Sequence, residues 1–74
     1  MKARQLLQIL KREPLKYQIL RQTGSHAKLR SPSGHKDLTF SFHDSQTIPP
    51  GLVKKILTND VGLSIQEALE LLKR

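Results

Sequence analysis

The 74-residue chain contains no cysteine. Disulfide staples, thiolate metal sites and thiol nucleophiles are excluded together, and the expected setting is a reducing cytoplasm. Tryptophan is absent too, and Tyr17, Phe40 and Phe42 are the whole aromatic complement. Stacking on single-stranded bases is therefore not expected to be the main source of any nucleic-acid affinity. No apolar run approaches the roughly 18 residues of a membrane span, so no membrane partner is expected. Lys11, Arg12 and Glu13 interrupt the start before a signal-peptide core can form. A chain this short has room for one small domain, expected over residues 1–74, with a thin core.

Acid is the scarcest of the common classes. Six Asp and Glu stand against thirteen Lys and Arg, leaving a net charge of +7. The imbalance is local. Residues 1–36 carry nine of the thirteen cations and a single acid, Glu13, whereas residues 37–74 carry four cations and five acids. A small domain with its excess charge in one half presents an electrostatic face, and a polyanion is its natural partner.

Hydrophobic spacing gives the elements. Ala3 to Arg12 reads as a helix with Leu6, Leu7 and Leu10 on one face, stopped by Pro14. Tyr17 to Thr23 is rich in strand-forming residues and ends at Gly24. Alternation marks two further strands, His26 to Arg30 and Leu38 to His43, around a Ser31-Pro32-Ser33-Gly34 turn. Pro50 opens a second helix with Leu52, Val53, Ile56 and Leu57 on its apolar side, broken over Asn59 to Gly62. Ser64-Ile65-Gln66-Glu67 is a capping box for a third helix that continues to Lys73 and Arg74. The expected fold is α+β, in the order α-β-β-β-α-α, with a three-stranded antiparallel sheet and the helices on one face.

Pairing the second and third strands so that residue numbers sum to 67 sets Ala27 against Phe40 and Leu29 against Leu38. All the apolar residues, Phe42 included, then share one side, and a one-residue slip would scramble them. The other side collects His26, Lys28, Arg30, Thr39, Ser41 and His43, with no carboxylate. In this register His26 faces Ser41. Ile19 and Leu20 compete for the core in the first strand, and a Thr23-Gly24 turn would set Arg21 against His26.

Two histidines without a third ligand make a poor zinc site, and a magnesium site needs clustered acids. No metal or other cofactor is expected. Imidazole among cations suits phosphodiester cleavage without metal: a group with a pKa near 6.5 takes a proton from a ribose hydroxyl, while Lys or Arg steadies the charge growing on phosphorus. An ordinary solvated strand carries the same residue types, so this pattern alone leaves both readings open.

The run Arg21-Gln22-Thr23-Gly24-Ser25-His26 resembles the signature of HicA-type toxins, small mRNA interferases of bacterial type II toxin–antitoxin systems. The resemblance extends over the opening Met1–Leu7 segment, Pro32-Ser33-Gly34, Phe42-His43, the stretch Pro50–Leu57 and the closing Gly62–Leu72. It implies a fold similar to double-stranded-RNA-binding domains and mRNA cleavage through one histidine, matched by His26. It also implies a HicB-type antitoxin that covers the active face. Arg21, Gly24, Ser25, Lys28 and Arg30 are the expected RNA-binding residues around His26, and Lys54 and Lys55 are further backbone contacts by analogy of fold. The family often has a second histidine where this chain has Ala27. It usually has glycine and an aromatic ahead of the first strand, where Pro14-Leu15-Lys16-Tyr17 stands here. The alternative is a non-catalytic double-stranded-RNA-binding module on the same fold.

Overall fold

Ala3, Leu6 and Leu10 recur at helical spacing, and helix α1 (Ala3–Lys11) buries all three, with Leu7 and Ile9 half-buried beside them. The structure is a computed structural model describing residues 1–73. The helix ends one residue before Arg12, which turns extended ahead of Pro14. At its start the Lys2 amide donates to Gln5 Oε1 at 2.9 Å, satisfying a donor that the first turn leaves free.

Three strands follow: β1 (Gln18–Thr23), β2 (His26–Arg30) and β3 (Leu38–Phe40), antiparallel and in that spatial order. The β2–β3 register is the expected one, with Ala27 opposite Phe40, Lys28 opposite Thr39 and Leu29 opposite Leu38. The third strand is shorter than the alternation predicted. Its ladder stops at Phe40, so His26 and Ser41 are not paired. Phe42 still packs on the core from the following loop, edge-on to Phe40 at 5.2 Å between ring centroids.

The first hairpin departs from expectation in two ways. Its turn is Gly24-Ser25, which sets Thr23 opposite His26 and Arg21 opposite Lys28. Gly24 has φ +60, a left-handed conformation that glycine adopts without penalty. A bulge at Leu20 then shifts the register, so that Ile19 faces Leu29. The contest between Ile19 and Leu20 for the core has no winner. Both lie on the edge strand of the sheet and remain 39% and 52% exposed.

Helix α2 (Pro50–Lys55) runs directly into a π-turn, Ile56–Asp60, in which the Val61 amide bonds the Ile56 carbonyl at 2.9 Å. The wider turn keeps the chain helical through Asn59 and Asp60, two of the residues expected to break it, and buries Ile56, Leu57 and Val61 together. Leu52 stays 37% exposed rather than joining the apolar side. Helix α3 (Ile65–Lys73) begins with the expected reciprocal cap. The Glu67 amide donates to Ser64 Oγ at 3.1 Å, and the Ser64 amide donates to a Glu67 carboxylate oxygen at 3.0 Å. Arg74, expected at the end of this helix, lies outside the described residues.

The order α-β-β-β-α-α and the α+β class are therefore as expected. Side chains from α1, the inner sheet face, α2 and α3 form one core, while the reverse sheet face is exposed. Loop residues complete it: Leu15 and Ile48 are fully buried, and Tyr17, 2% exposed, donates its hydroxyl to the Lys36 carbonyl at 2.6 Å. No helix among the described residues is long and apolar enough to cross a membrane.

Ser31 is the one buried polar residue among those described. Its hydroxyl donates to the Leu15 carbonyl and accepts from the Ser33 amide at 3.2 Å, tying the second turn to the segment after α1. Ser31→Ala leaves that carbonyl buried without a donor, which costs about 1–3 kcal/mol. A urea-unfolding midpoint equal to that of the wild type would contradict this role.

The hydrogen bonds from Ser64, backbone first, hold the Glu67 carboxyl below its ordinary pKa. A lowered folded-state pKa gives stability that is present above the unfolded value and lost as pH falls through the folded one. Glu67→Gln keeps the reciprocal cap but not the titration. Acid titrations of stability should accordingly be shallower for the variant than for the wild type below the ordinary glutamate range.

Candidate functional site

Ala27 and Leu29 point into the core, so pleating turns His26, Lys28 and Arg30 outward onto the open sheet face. The pairing adds Gln18, Arg21 and Thr23 from β1 and Thr39 from β3 to the same face. Arg21 lies directly across from Lys28, at the roughly 5 Å separation of paired side chains, and diagonal to His26. His26 is exposed, and its ring makes no hydrogen bond to any described residue. An unencumbered imidazole beside two cations is free to meet a phosphodiester.

Arg30 behaves differently from Arg21 and Lys28. Its guanidinium pairs with the Asp37 carboxylate at 3.6 Å. The open face therefore does carry an acid, contrary to the sequence expectation, because Asp37 extends the β3 line to the position opposite Arg30. Half-exposed on both sides, this pair contributes little to stability. It does neutralise one corner of the face and leaves the positive charge centred on Arg21 and Lys28, next to His26.

Gly24 and Ser25 join this face to a second feature on the other side of the hairpin. There the sheet edge forms a cleft of about 500 Å³. Its floor is Ala27, Phe40 and Phe42, roofed by Leu7 from α1. Ile19 and Gln22 close one side, the Gly24-Ser25 turn one end, and His43, Asp44 and Ser45 the other side. Gln22 reaches the cleft because the Gly24-Ser25 turn sets it opposite Ala27, and Ile19 because the Leu20 bulge turns it inward opposite Leu29. His43 was expected on the open face with His26. The chain leaves the sheet after Phe40, so His43 borders the cleft instead.

The wall formed by residues 43–45 is anchored to the start of the chain. Ala3 donates to the Gln46 carbonyl at 2.8 Å, Ile48 to that of Met1 at 2.7 Å, and Lys2 Nζ to that of Ser45 at 3.2 Å. The expected site residues thus divide. His26, Arg21 and Lys28 form the open face with Arg30 at its edge, and Gly24 and Ser25 form the rim shared with the cleft. Gln22, Phe42 and Asp44 escaped sequence reasoning, because only the Gly24-Ser25 turn and the end of β3 bring them together. Among the described residues, no group of three or more His, Cys, Asp or Glu side chains is placed to hold a metal ion.

A family model described as "HicA toxin of bacterial toxin-antitoxin" matches residues 3–63, from the first residue of α1 to beyond the π-turn. No curated protein and no solved structure matches the chain. The matched span contains the whole open face and the whole cleft, and covers well over half of the sequence. The chain belongs to the HicA family, the toxins of bacterial toxin–antitoxin systems, and accordingly has an antitoxin as its partner.

Proposed function

We propose that the protein is an endoribonuclease, an mRNA interferase, that cuts RNA at the open sheet face through His26. The observation that carries this reading is the exposed His26 imidazole beside Arg21 and Lys28, on a face whose only identified acid is already paired with Arg30. In the proposed reaction His26 removes the proton from a ribose 2′-hydroxyl. The freed oxygen attacks the adjacent phosphorus, and the bond to the 5′-oxygen of the next nucleotide breaks. That oxygen takes a proton from water or from the imidazolium, leaving a 2′,3′-cyclic phosphate and a 5′-hydroxyl. Arg21 and Lys28 stabilise the charge that builds on the non-bridging oxygens. The Gly24-Ser25 turn brings backbone and the Ser25 hydroxyl to the same edge, where they bind phosphate.

The partner in this reading is a HicB-type antitoxin that neutralises the toxin by covering the open face. Compartment follows from substrate: a toxin acting on mRNA works in the cytoplasm. A non-catalytic RNA-binding module on the same fold remains the competing reading, and the cleavage assay separates the two.

His26→Ala is expected to abolish RNA cleavage and growth arrest, with a loss of about 100- to 10,000-fold in rate. The side chain is exposed, so the thermal melt should stay close to that of the wild type. A His26→Ala protein that still cuts RNA would remove the histidine from the mechanism. A wild type that binds RNA without cutting it would favour the binding module.

Salt dependence tests the cations separately. Each phosphate contact on a single strand contributes about 0.7 to the slope of log affinity against log salt. Arg21→Ala with Lys28→Ala should flatten that slope by about 1.4, whereas Arg30→Ala should change it by less because Asp37 already holds the guanidinium. Equal effects of the Arg30 and Lys28 substitutions would show that the ion pair opens on binding.

A further inference from the structure

The cleft behind the Gly24-Ser25 turn has a composition unlike the open face. No Lys or Arg lines it, and one carboxylate, Asp44, does. Phosphate is disfavoured there, because an acid and no cation would surround it. The lining instead combines apolar surface with short polar groups: Phe40 and Phe42 on the floor, and Gln22, Ser25, His43 and Ser45 around the rim. That is the make-up of a site for a neutral, flat, hydrogen-bonding ligand, and about 500 Å³ is within the usual range for a small-molecule site.

The position of the cleft limits what that ligand is. Ser25 lines it, and the next residue is His26 on the opposite face. A polynucleotide lying along the turn therefore has its charged backbone beside Arg21 and Lys28 and a base within reach of the cleft. The division of charge matches the division within a nucleotide. Anionic phosphate meets the cationic face, and the neutral base meets the neutral cleft. We infer that the cleft bordered by Gln22, Phe42 and His43 is a subsite for one unpaired nucleobase of the RNA, adjacent to the phosphodiester presented to His26.

Phe42 is half-buried and lies edge-on to Phe40, leaving part of its ring toward the cleft. Its ring supplies the stacking surface, and Gln22, Asp44 and Ser45 supply donors and acceptors for the base edge. The backbone bonds of Met1 and Ala3 and the Lys2 Nζ bond to the Ser45 carbonyl hold the residue 43–45 wall in place before the base arrives. A base in this cleft is necessarily unpaired, so the subsite selects single-stranded or extruded nucleotides over intact duplex. The low aromatic content does not conflict with this. Phe42 provides one stacking position, and backbone contacts still supply most of the affinity.

This subsite deepens the ribonuclease reading and rests on it. The test separates the two with one probe in two forms. A short single-stranded oligoribonucleotide carrying 2-aminopurine, fully 2′-O-methylated so that it cannot be cut, reports stacking through its fluorescence. The unmodified oligonucleotide reports cleavage. Wild-type protein should quench the probe and should bind a duplex of the same sequence more weakly. Gln22→Leu removes the amide offered to the base edge without adding an aromatic ring or a charge. Phe42→Leu keeps most of the buried volume but removes the aromatic face. Because stacking on an aromatic contributes about 1–3 kcal/mol per base, Phe42→Leu should weaken probe binding by about five-fold or more; Gln22→Leu should weaken it in the same direction, and both should leave the salt slope unchanged.

Quenching and its loss in both variants, with no cleavage by any protein, would support the subsite and overturn the ribonuclease reading. Cleavage with full quenching and affinity retained in both variants would overturn the subsite and leave His26 in place. Equal binding of single strand and duplex would also overturn it. So would variants that lose antitoxin binding while binding the probe normally, which would give the cleft to the antitoxin. Circular dichroism melts of both variants show whether any loss comes from unfolding.

Discussion

Strand β2 is hydrogen-bonded along both edges, and Ala27 and Leu29 anchor its inner side in the core. A strand held in this way cannot rotate or slip by one residue without exposing both apolar side chains and burying His26, Lys28 and Arg30 in their place. Burying those charges without partners would cost far more than a few contacts could return. The orientation of the proposed catalytic residue is thus a consequence of core packing two residues wide. This does not require a hydrogen bond to His26 itself.

The bulge at Leu20 makes the adjacent strand compatible with that arrangement. Between the turn and the bulge Arg21 faces Lys28 on the open side and Gln22 faces Ala27 on the inner side; past the bulge Ile19 turns inward against Leu29 and Gln18 outward against Arg30. Straight pairing from the Gly24-Ser25 turn would instead have carried Leu20 inward and Ile19 outward. One extra residue therefore shapes both surfaces at once. It also twists an exposed edge strand and makes it a poorer template for uncontrolled pairing with another chain.

Charge is distributed along the same division. The net +7 is not spread evenly over the surface. Asp37 offsets Arg30 at one corner of the open face, and Arg21 and Lys28 remain beside His26. The cleft on the other side has no cation at all in its lining. With so few acids, the placement of one carboxylate decides where the positive field is strongest, and Asp37 moves it toward the hairpin turn.

Local periodicity was enough to determine α1, the three strands, the capping box at Ser64 and the β2–β3 register, because each rests on spacing within a few residues and on one apolar face. It also separated His26, Lys28 and Arg30 from the core, since alternation in β2 admits a single parity. Only the tertiary structure decided the rest. The Leu20 bulge depends on a turn whose two residues are not distinguishable by propensity, as Thr23-Gly24 and Gly24-Ser25 both suit a tight loop. The early end of β3, the Arg30–Asp37 pair and the burial of Leu15 and Ile48 depend on what packs from elsewhere in the chain. The cleft is the clearest case. Leu7, Gln22 and the Phe42–Asp44 stretch are distant in sequence, and a cavity exists only where three separately determined elements fail to close over a sheet edge.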